Sequence, residues 1–297
     1  MSVHNLDRMF QPKSIAVIGA SEKIGRVGTA VFKNLIEGGF KGTLYPINPN
    51  HQTIGAHKAF ASLRAIPEPI DLAVIATPIA SVPAIINDAV QADVGGAVVI
   101  SAGGKEVGRR GREVEQAIAE AAQGSGLRII GPNCLGIINS GNGLNASFAN
   151  RMPLPGKMAF ISQSGAICTA VLDLSLREHI GFSYFISLGS MLDVDFGDMI
   201  DYIGGDHRVS SIVMYLESLS RFRNFMSAAR AVSRVKPIVV LKTGRTPAGA
   251  RAASSHTGAL AGEDAVYDAA FKRAGLVRVK TFEELFDCAK LLAKQPK

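Results

Sequence analysis

His256 is the residue in this chain best placed to react. It sits in Ser254-Ser255-His256-Thr257-Gly258-Ala259-Leu260-Ala261-Gly262-Glu263, among side chains too small to bury an imidazole or to occupy both of its nitrogens. The run from Thr246 to Gly262 is dominated by Ala, Gly and Ser; it follows a strand-like segment, Pro237 to Leu241, and precedes a helical one, Glu263 to Ala274. Loops beyond roughly 12–15 residues without structure of their own are usually functional or disordered. The plainer reading is a surface loop that happens to carry a histidine. A carboxylate beside the loop can orient the imidazole and favour the protonation state needed for attack. Glu217 is the candidate, because it directly follows the strand-like run Ser211 to Leu216. It reads equally as an acid at a helix start ahead of Ser218 to Arg221.

Two segments have the composition of anion sites. In Phe160-Ile161-Ser162-Gln163-Ser164-Gly165-Ala166 a strand passes straight into a helix. Ser164 can cap that helix, and the free N–H groups of Gly165 and Ala166 would face an anion; a plain N-cap is the simpler alternative. The other is Gly19-Ala20-Ser21-Glu22-Lys23-Ile24-Gly25-Arg26-Val27-Gly28, a glycine-bearing loop between the first strand and its helix. A dinucleotide fingerprint needs G-x-G-x-x-G and an acidic residue about 20 positions on. Here Ser21 stands in place of the second glycine, and the next strand ends in Ile47-Asn48-Pro49-Asn50-His51 without a carboxylate. Both departures disfavour an NAD-dependent oxidoreductase, whereas Asn50 and His51 would tolerate a different phosphate. Ala76-Thr77-Pro78 and Ser101-Ala102-Gly103-Gly104-Lys105 end two more strands on the same edge, where open α/β sheets bind ligands. The alternative is a Rossmann-like domain that serves only as structure. His4, His179 and His207 read as surface residues, and His57 has no evident role.

Positioning these groups requires two alternating series of strands and helices. Strands are expected at Ser14 to Ile18, Thr43 to Ile47, Asp71 to Ala76, Gly96 to Ile100 and Leu127 to Ile130, with helices at Val27 to Glu37, Ser81 to Gln91 and Arg109 to Gln123. That alternation implies βαβ units around a parallel sheet, a Rossmann-like domain over residues 1–130. Gly131 to Gly156, rich in Gly, Asn and Pro with weak periodicity, reads as the join. A second series has strands near Lys157 to Ile161, Phe182 to Leu188, Ser211 to Leu216, Pro237 to Leu241 and Val277 to Val279, so that residues 131–297 read as a flavodoxin-like domain with a five-stranded sheet. Its last helix runs from Thr281 to about Lys294, with Thr281 and Glu284 in a capping-box pattern. The polar end, Lys294-Gln295-Pro296-Lys297, suggests a linker. The fold class is α/β.

The composition, 47% hydrophobic and 19% charged over 297 residues, is that of a globular protein large enough for two domains. Apolar runs such as Leu72 to Ala76 fall far short of the ~18 residues of a membrane span. Met1 to Phe10 shows no secretory pattern, so a cytoplasmic setting is expected. Cys134, Cys168 and Cys288 are widely spaced and lack a C-x-x-C pair, which fits neither a disulfide framework nor a metal site. The net charge of +7 is dispersed and lacks aromatic interleaving, so nucleic acid is not the expected partner; it suits a polyphosphate ligand, an acidic partner subunit or simple solvation.

Taken in order, Gly19-Ala20-Ser21, Gly131-Pro132-Asn133-Cys134-Leu135-Gly136, Ser162-Gln163-Ser164-Gly165, Glu217 and Ser255-His256-Thr257-Gly258-Ala259 resemble the NDP-forming acyl-CoA synthetases. The likeness covers nearly the whole chain, is closest to the ADP-forming acetyl-CoA synthetase group, and extends to the α subunit of succinyl-CoA synthetase. It implies a CoA-binding Rossmann-like domain followed by a flavodoxin-like ligase domain. It also implies a relay in which phosphate attacks acyl-CoA, a histidine takes the phosphoryl group from the acyl phosphate, and ADP receives it. His256 would be that nucleophile, Glu217 its orienting carboxylate, and Ser164, Gly165 and Ala166 a phosphate cradle. Coenzyme A would be held by Gly19, Ser21, Lys23, Gly25, Asn50, His51, Thr77, Ser101, Ala102, Gly103 and Asn133. The sequence contains no ATP-grasp module and no further CoA-ligase domain, so Mg-ADP or Mg-ATP is expected on an ATP-grasp domain or β-type subunit, within an oligomer. The alternative implied by the same likeness is a CoA- or acyl-CoA-sensing region of a protein acetyltransferase; His256 favours catalysis, because degenerate sensor versions lack it. The acyl group and the choice of ADP or GDP are not encoded in recognisable residues.

Overall fold

The computed structural model describes residues 3–245 and 264–294. After a short helix, α1 (Leu6–Phe10), come β1 (Ser14–Ile18), α2 (Val27–Glu37), β2 (Thr43–Ile47) and a small hairpin of β3 (Thr53–Ile54) and β4 (His57–Lys58). They are followed by β5 (Leu72–Ile75), α3 (Val82–Gln91), β6 (Gly96–Val99), α4 (Arg109–Ala122) and β7 (Arg128–Ile130). The five long-range partners form a parallel sheet in the order β2-β1-β5-β6-β7. Strands buried on both faces read as nearly continuous apolar runs, and β1 after Ser14 shows why. Ile15 and Val17 enter a core with Val31 and Leu35 of α2 and Phe10 of α1, while Ala16 and Ile18 enter another with Val82 and Ile86 of α3 and Ile118 of α4.

The stretch expected to be a join instead contributes structure. β8 (Gly136–Asn139) and β9 (Leu144–Ser147) form an antiparallel hairpin that extends the second sheet through pairing of β8 with β11. Among the described residues that sheet therefore has seven strands rather than five, in the order β14-β13-β12-β10-β11-β8-β9. The hairpin lacks an apolar alternation because it buries polar residues in pairs: Ser147 Oγ donates to Asn145 Oδ1 at 2.6 Å. Asn34 of α2 donates to the carbonyls of Ser147 and Ala149 at 2.9 and 2.7 Å, so the hairpin is fastened to the first sheet's helix.

The remaining elements are β10 (Pro155–Ser162), α5 (Gly165–Arg177), β11 (Phe182–Ser187), α6 (Phe196–Gly204), β12 (Ser211–Leu216), α7 (Phe222–Val232), β13 (Ile238–Lys242), α8 (Asp264–Ala274), β14 (Val277–Val279) and α9 (Phe282–Lys294). β10 through β14 are mutually parallel where they pair. Ile161, Ile186 and Ile212 join the same core as Val17 and Leu35, so the two sheets share a continuous apolar interior. The opposite face packs Phe160, Phe182 and Phe185 against α5 and α9. At the start of α9, Thr281 accepts from the Glu284 amide at 3.1 Å, and the Glu284 carboxylate returns to the Lys280 amide rather than to that of Thr281. No helix among the described residues is long and apolar enough to cross a membrane.

Candidate active site

Parallel strands deliver their carboxyl ends to one edge, and in both sheets this edge carries the residues singled out above. In the first, β1 leads into Gly19, and α2 is pulled close behind it. A Cβ on Gly28 would stand 2.0 Å from the Gly19 carbonyl oxygen, so only glycine fits there. Asn48, after β2, donates to the Ala20 carbonyl at 2.9 Å, and Ser21 Oγ accepts from the Lys23 amide at 3.0 Å. After β5 and β6, Ser101 Oγ donates to the Thr77 carbonyl at 2.6 Å. The Asn133 amide donates to the Ser101 carbonyl at 2.9 Å. The Gly-Pro-Asn-Cys segment thus locks against the first sheet; a Cβ on Gly131 would meet the Val99 carbonyl at 2.3 Å.

In the second sheet β10 runs into α5. Ser164 caps the helix, its Oγ accepting from the Ile167 amide at 3.3 Å. The first amides of the helix, Gly165 and Ala166, have no acceptor within it and carry its positive end. Beside this turn, Glu217 leaves the end of β12. Its amide and that of Ser218 donate to Gln163 Oε1 at 2.8 and 3.0 Å. On the neighbouring strand, paired with Leu216, lies Lys242, whose side chain is buried over the Tyr267 ring. Burial holds the Lys242 ammonium below the usual lysine range, opposed by the charges of Asp264 and Glu217 and reinforced by Arg278. The two edges are tied together by Lys105, whose Nζ donates to the Ser190 carbonyl at 2.7 Å.

Between the edges is a cleft of about 610 Å³. Thr77, Ser101, Ala102 and Asn133 line it from the first sheet's side, and Ser164, Gly165, Ala166 and Glu217 from the second's. A neighbouring cavity of about 380 Å³ is lined by Gly19, Asn48, Pro49 and again Thr77. Ser21, Lys23, Gly25, Asn50, His51 and Gly103 line neither. Ser21 and Gly103 are half-buried nearby, and Lys23, Gly25, Asn50 and His51 are exposed. His256 lies outside the described residues. Cys134 faces the cleft, but burial pushes its thiol up to about 12, as it does that of Cys168, so neither is a thiolate nucleophile near neutral pH. Reading the sequence alone assigns no part to Asn48, Lys105, Phe148 or Gln163. Asn48 and Gln163 stood inside the segments singled out, two residues from Asn50 and one from Ser164; Phe148, an exposed ring at the cleft, follows the hairpin strand that periodicity did not reveal.

Residues 13–140 match the CoA binding domain family, and residues 155–292 match the succinyl-CoA ligase like flavodoxin domain family. The acetate–CoA ligase [ADP-forming] I of Archaeoglobus fulgidus is 44% identical over 98% of this chain and 42% of its own length. The α subunit of acetate–CoA ligase [ADP-forming] I of Pyrococcus furiosus is 42% identical over 98% of this chain and 64% of its own. The solved dinucleotide-forming acetyl-coenzyme A synthetase 1 of Ca. Korarchaeum cryptofilum, in complex with phosphate and ADP, superposes with a TM-score of 0.94 at 41% identity, over 98% of this chain and 63% of that one. The chain belongs to the ADP-forming acyl-CoA synthetase family. It spans less than two thirds of each of these relatives. As in the family's domain pair, the Rossmann-like sheet precedes the flavodoxin-like one, and the cleft lies where their carboxyl edges meet.

Proposed function

We propose that this chain is the CoA-binding, phosphohistidine-bearing part of an ADP-forming acyl-CoA synthetase, with residues 1–130 holding CoA and residues 131–297 forming the ligase domain. One observation carries the reading: a single cleft has Thr77, Ser101 and Asn133 on one wall and the α5 amino terminus with Glu217 on the other. An elongated thioester laid along the first sheet's edge would place its nucleotide end by Gly19 and Asn48. Its pantetheine arm would pass Thr77, which lines both cavities, and its thioester would enter the larger one.

Phosphate held at the Gly165 and Ala166 amides would attack the thioester carbonyl; the C–S bond breaks, CoA leaves as thiolate, and an acyl phosphate forms. The imidazole of His256 would then attack phosphorus, releasing the carboxylate. Glu217 would orient the ring and balance the charge it gains, in keeping with phosphoryl transfer's reliance on positioning and charge stabilisation. ADP, on an ATP-grasp domain or subunit of the assembled oligomer, would take the phosphoryl group. The relatives matched along the chain are named as CoA ligases, which favours this reading over an acyl-CoA sensor. A cytoplasmic location fits its substrates and its reduced cysteines.

The test is to supply acyl-CoA to the assembled enzyme with ADP and to follow thiol release. Release that requires phosphate and yields equimolar ATP is expected; release independent of phosphate would overturn the proposal.

A further inference from the structure

We infer that Gln163 is a positioning residue whose side-chain amide fixes the turn carrying Glu217 against the turn that opens α5. This rests on the role given to Glu217 above. Gln163 is 8% exposed and makes three side-chain bonds into one turn. Oε1 accepts from the amides of Glu217 and Ser218 at 2.8 and 3.0 Å, and Nε2 donates to Ser218 Oγ at 3.2 Å. Its own amide donates to the Tyr215 carbonyl at 3.3 Å, so main chain and side chain both span from the end of β10 to the end of β12.

The residue that begins the anion cradle, Ser164, is its immediate neighbour. The cradle and the Glu217 turn therefore share a rigid bracket, and a shift of one moves the other. The far end of the Glu217 turn is held separately, by Arg221 on Asp195 and Asp198 at 2.8 Å each. Glutamine suits the bracket because it offers acceptor and donor without charge. A carboxylate here would add repulsion next to Glu217 and an incoming phosphate, and an apolar side chain would leave the buried Glu217 amide and the part-buried Ser218 amide unpaired at appreciable cost. Displacing catalytic groups by about an ångström costs up to ~100-fold in rate, so the bracket's effect should appear in the phosphoryl step rather than in CoA affinity.

A double-mutant cycle on the assembled synthetase separates positioning from general support of the fold. Phosphohistidine formation is followed by rapid quench with acyl-CoA and phosphate in the parent, Gln163→Met, Glu217→Gln and the double variant. Gln163→Met is expected to slow the step about tenfold, with the acyl-CoA KM within about twofold of the parent. In the Glu217→Gln background it should cost less than about twofold more, because the carboxylate it positions is already gone. If the two losses multiply, Gln163 acts independently of Glu217 and the inference fails while the reading of Glu217 stands. If Glu217→Gln alone leaves the rate unchanged, that reading fails and the inference with it. Should Gln163→Met not fold, Ser218→Ala removes only the Nε2 acceptor. A two- to threefold loss confined to the Glu217-containing background is then expected, and an equal loss in both backgrounds overturns the inference.

Discussion

Replacing Gly28 with alanine tests the packing that builds the first half of the site. The added methyl would lie 2.0 Å from the Gly19 oxygen, 2.6 Å from its carbonyl carbon and 3.2 Å from the Ala20 nitrogen, where ordinary contact starts near 3.4 Å. All three atoms are backbone, so no rotamer change relieves the overlap, and α2 must retreat from the β1 turn by more than an ångström. Overpacking of this kind costs roughly 1–3 kcal/mol. Because two backbones must part, we place the cost at the upper end, and alanine's better helix propensity offsets up to ~1 kcal/mol of it. The net, about 2 kcal/mol, corresponds to a melting temperature lower by roughly 3 °C for a chain of this size. Gly25→Ala is the control: its φ of +84° strains an L-residue, but nothing lies within 4 Å. It should therefore lose only about 1 kcal/mol. Urea denaturation gives both values, and calorimetric titration with CoA gives the functional consequence, because Gly19 lines the smaller cavity. Affinity should fall in Gly28→Ala more than in Gly25→Ala. A Gly28→Ala protein within about 0.5 kcal/mol of the parent and with unchanged CoA affinity would refute the reasoning.

Two further outcomes follow from the electrostatics. Hydrogen bonds from Arg208 and from the Tyr184 hydroxyl hold the Asp206 carboxyl well below the usual carboxylate range. The stability it contributes is complete above the ordinary value near about pH 4 and is lost as pH falls through the lower folded one. Asp206→Asn should therefore cost about 1 kcal/mol at neutral pH and flatten the acid limb of the stability curve, as read by denaturation at stepped pH; an unchanged limb would contradict this. Lys242→Met should preserve the melting temperature within a few degrees, because it removes the cost of burying an ammonium. It should also slow phosphohistidine formation about fivefold by removing a cation that acts on Glu217. A rate equal to the parent's would place Lys242 outside the chemistry.

Elements whose hydrophobic pattern is set by burial were legible from residues alone. β1, α2, β2, β12 and β14 occupy the ranges that periodicity assigns. The β8–β9 hairpin was not, because Asn145 and Ser147 satisfy each other inside the core, so polarity there signals pairing rather than exposure. The site was legible in its strand ends, since topology alone brings Thr77, Ser101, Ser164 and Glu217 to carboxyl edges. Which neighbour at a strand end faces the cavity was not. Asn48, rather than Asn50, turns back onto the Ala20 carbonyl, a choice made by a hydrogen bond across 28 residues. Gln163 is the same case: its role depends on the turn after β12, which no local pattern encodes.

The central claim is that one imidazole carries phosphate away from this cleft. The direct measurement is to incubate the protein with acyl-CoA and radiolabelled phosphate and to map the acid-labile label by peptide sequencing. The account predicts one phosphoryl group per chain, on His256, and none in His256→Asn. Equal labelling of that variant, or a label on another residue, would contradict it.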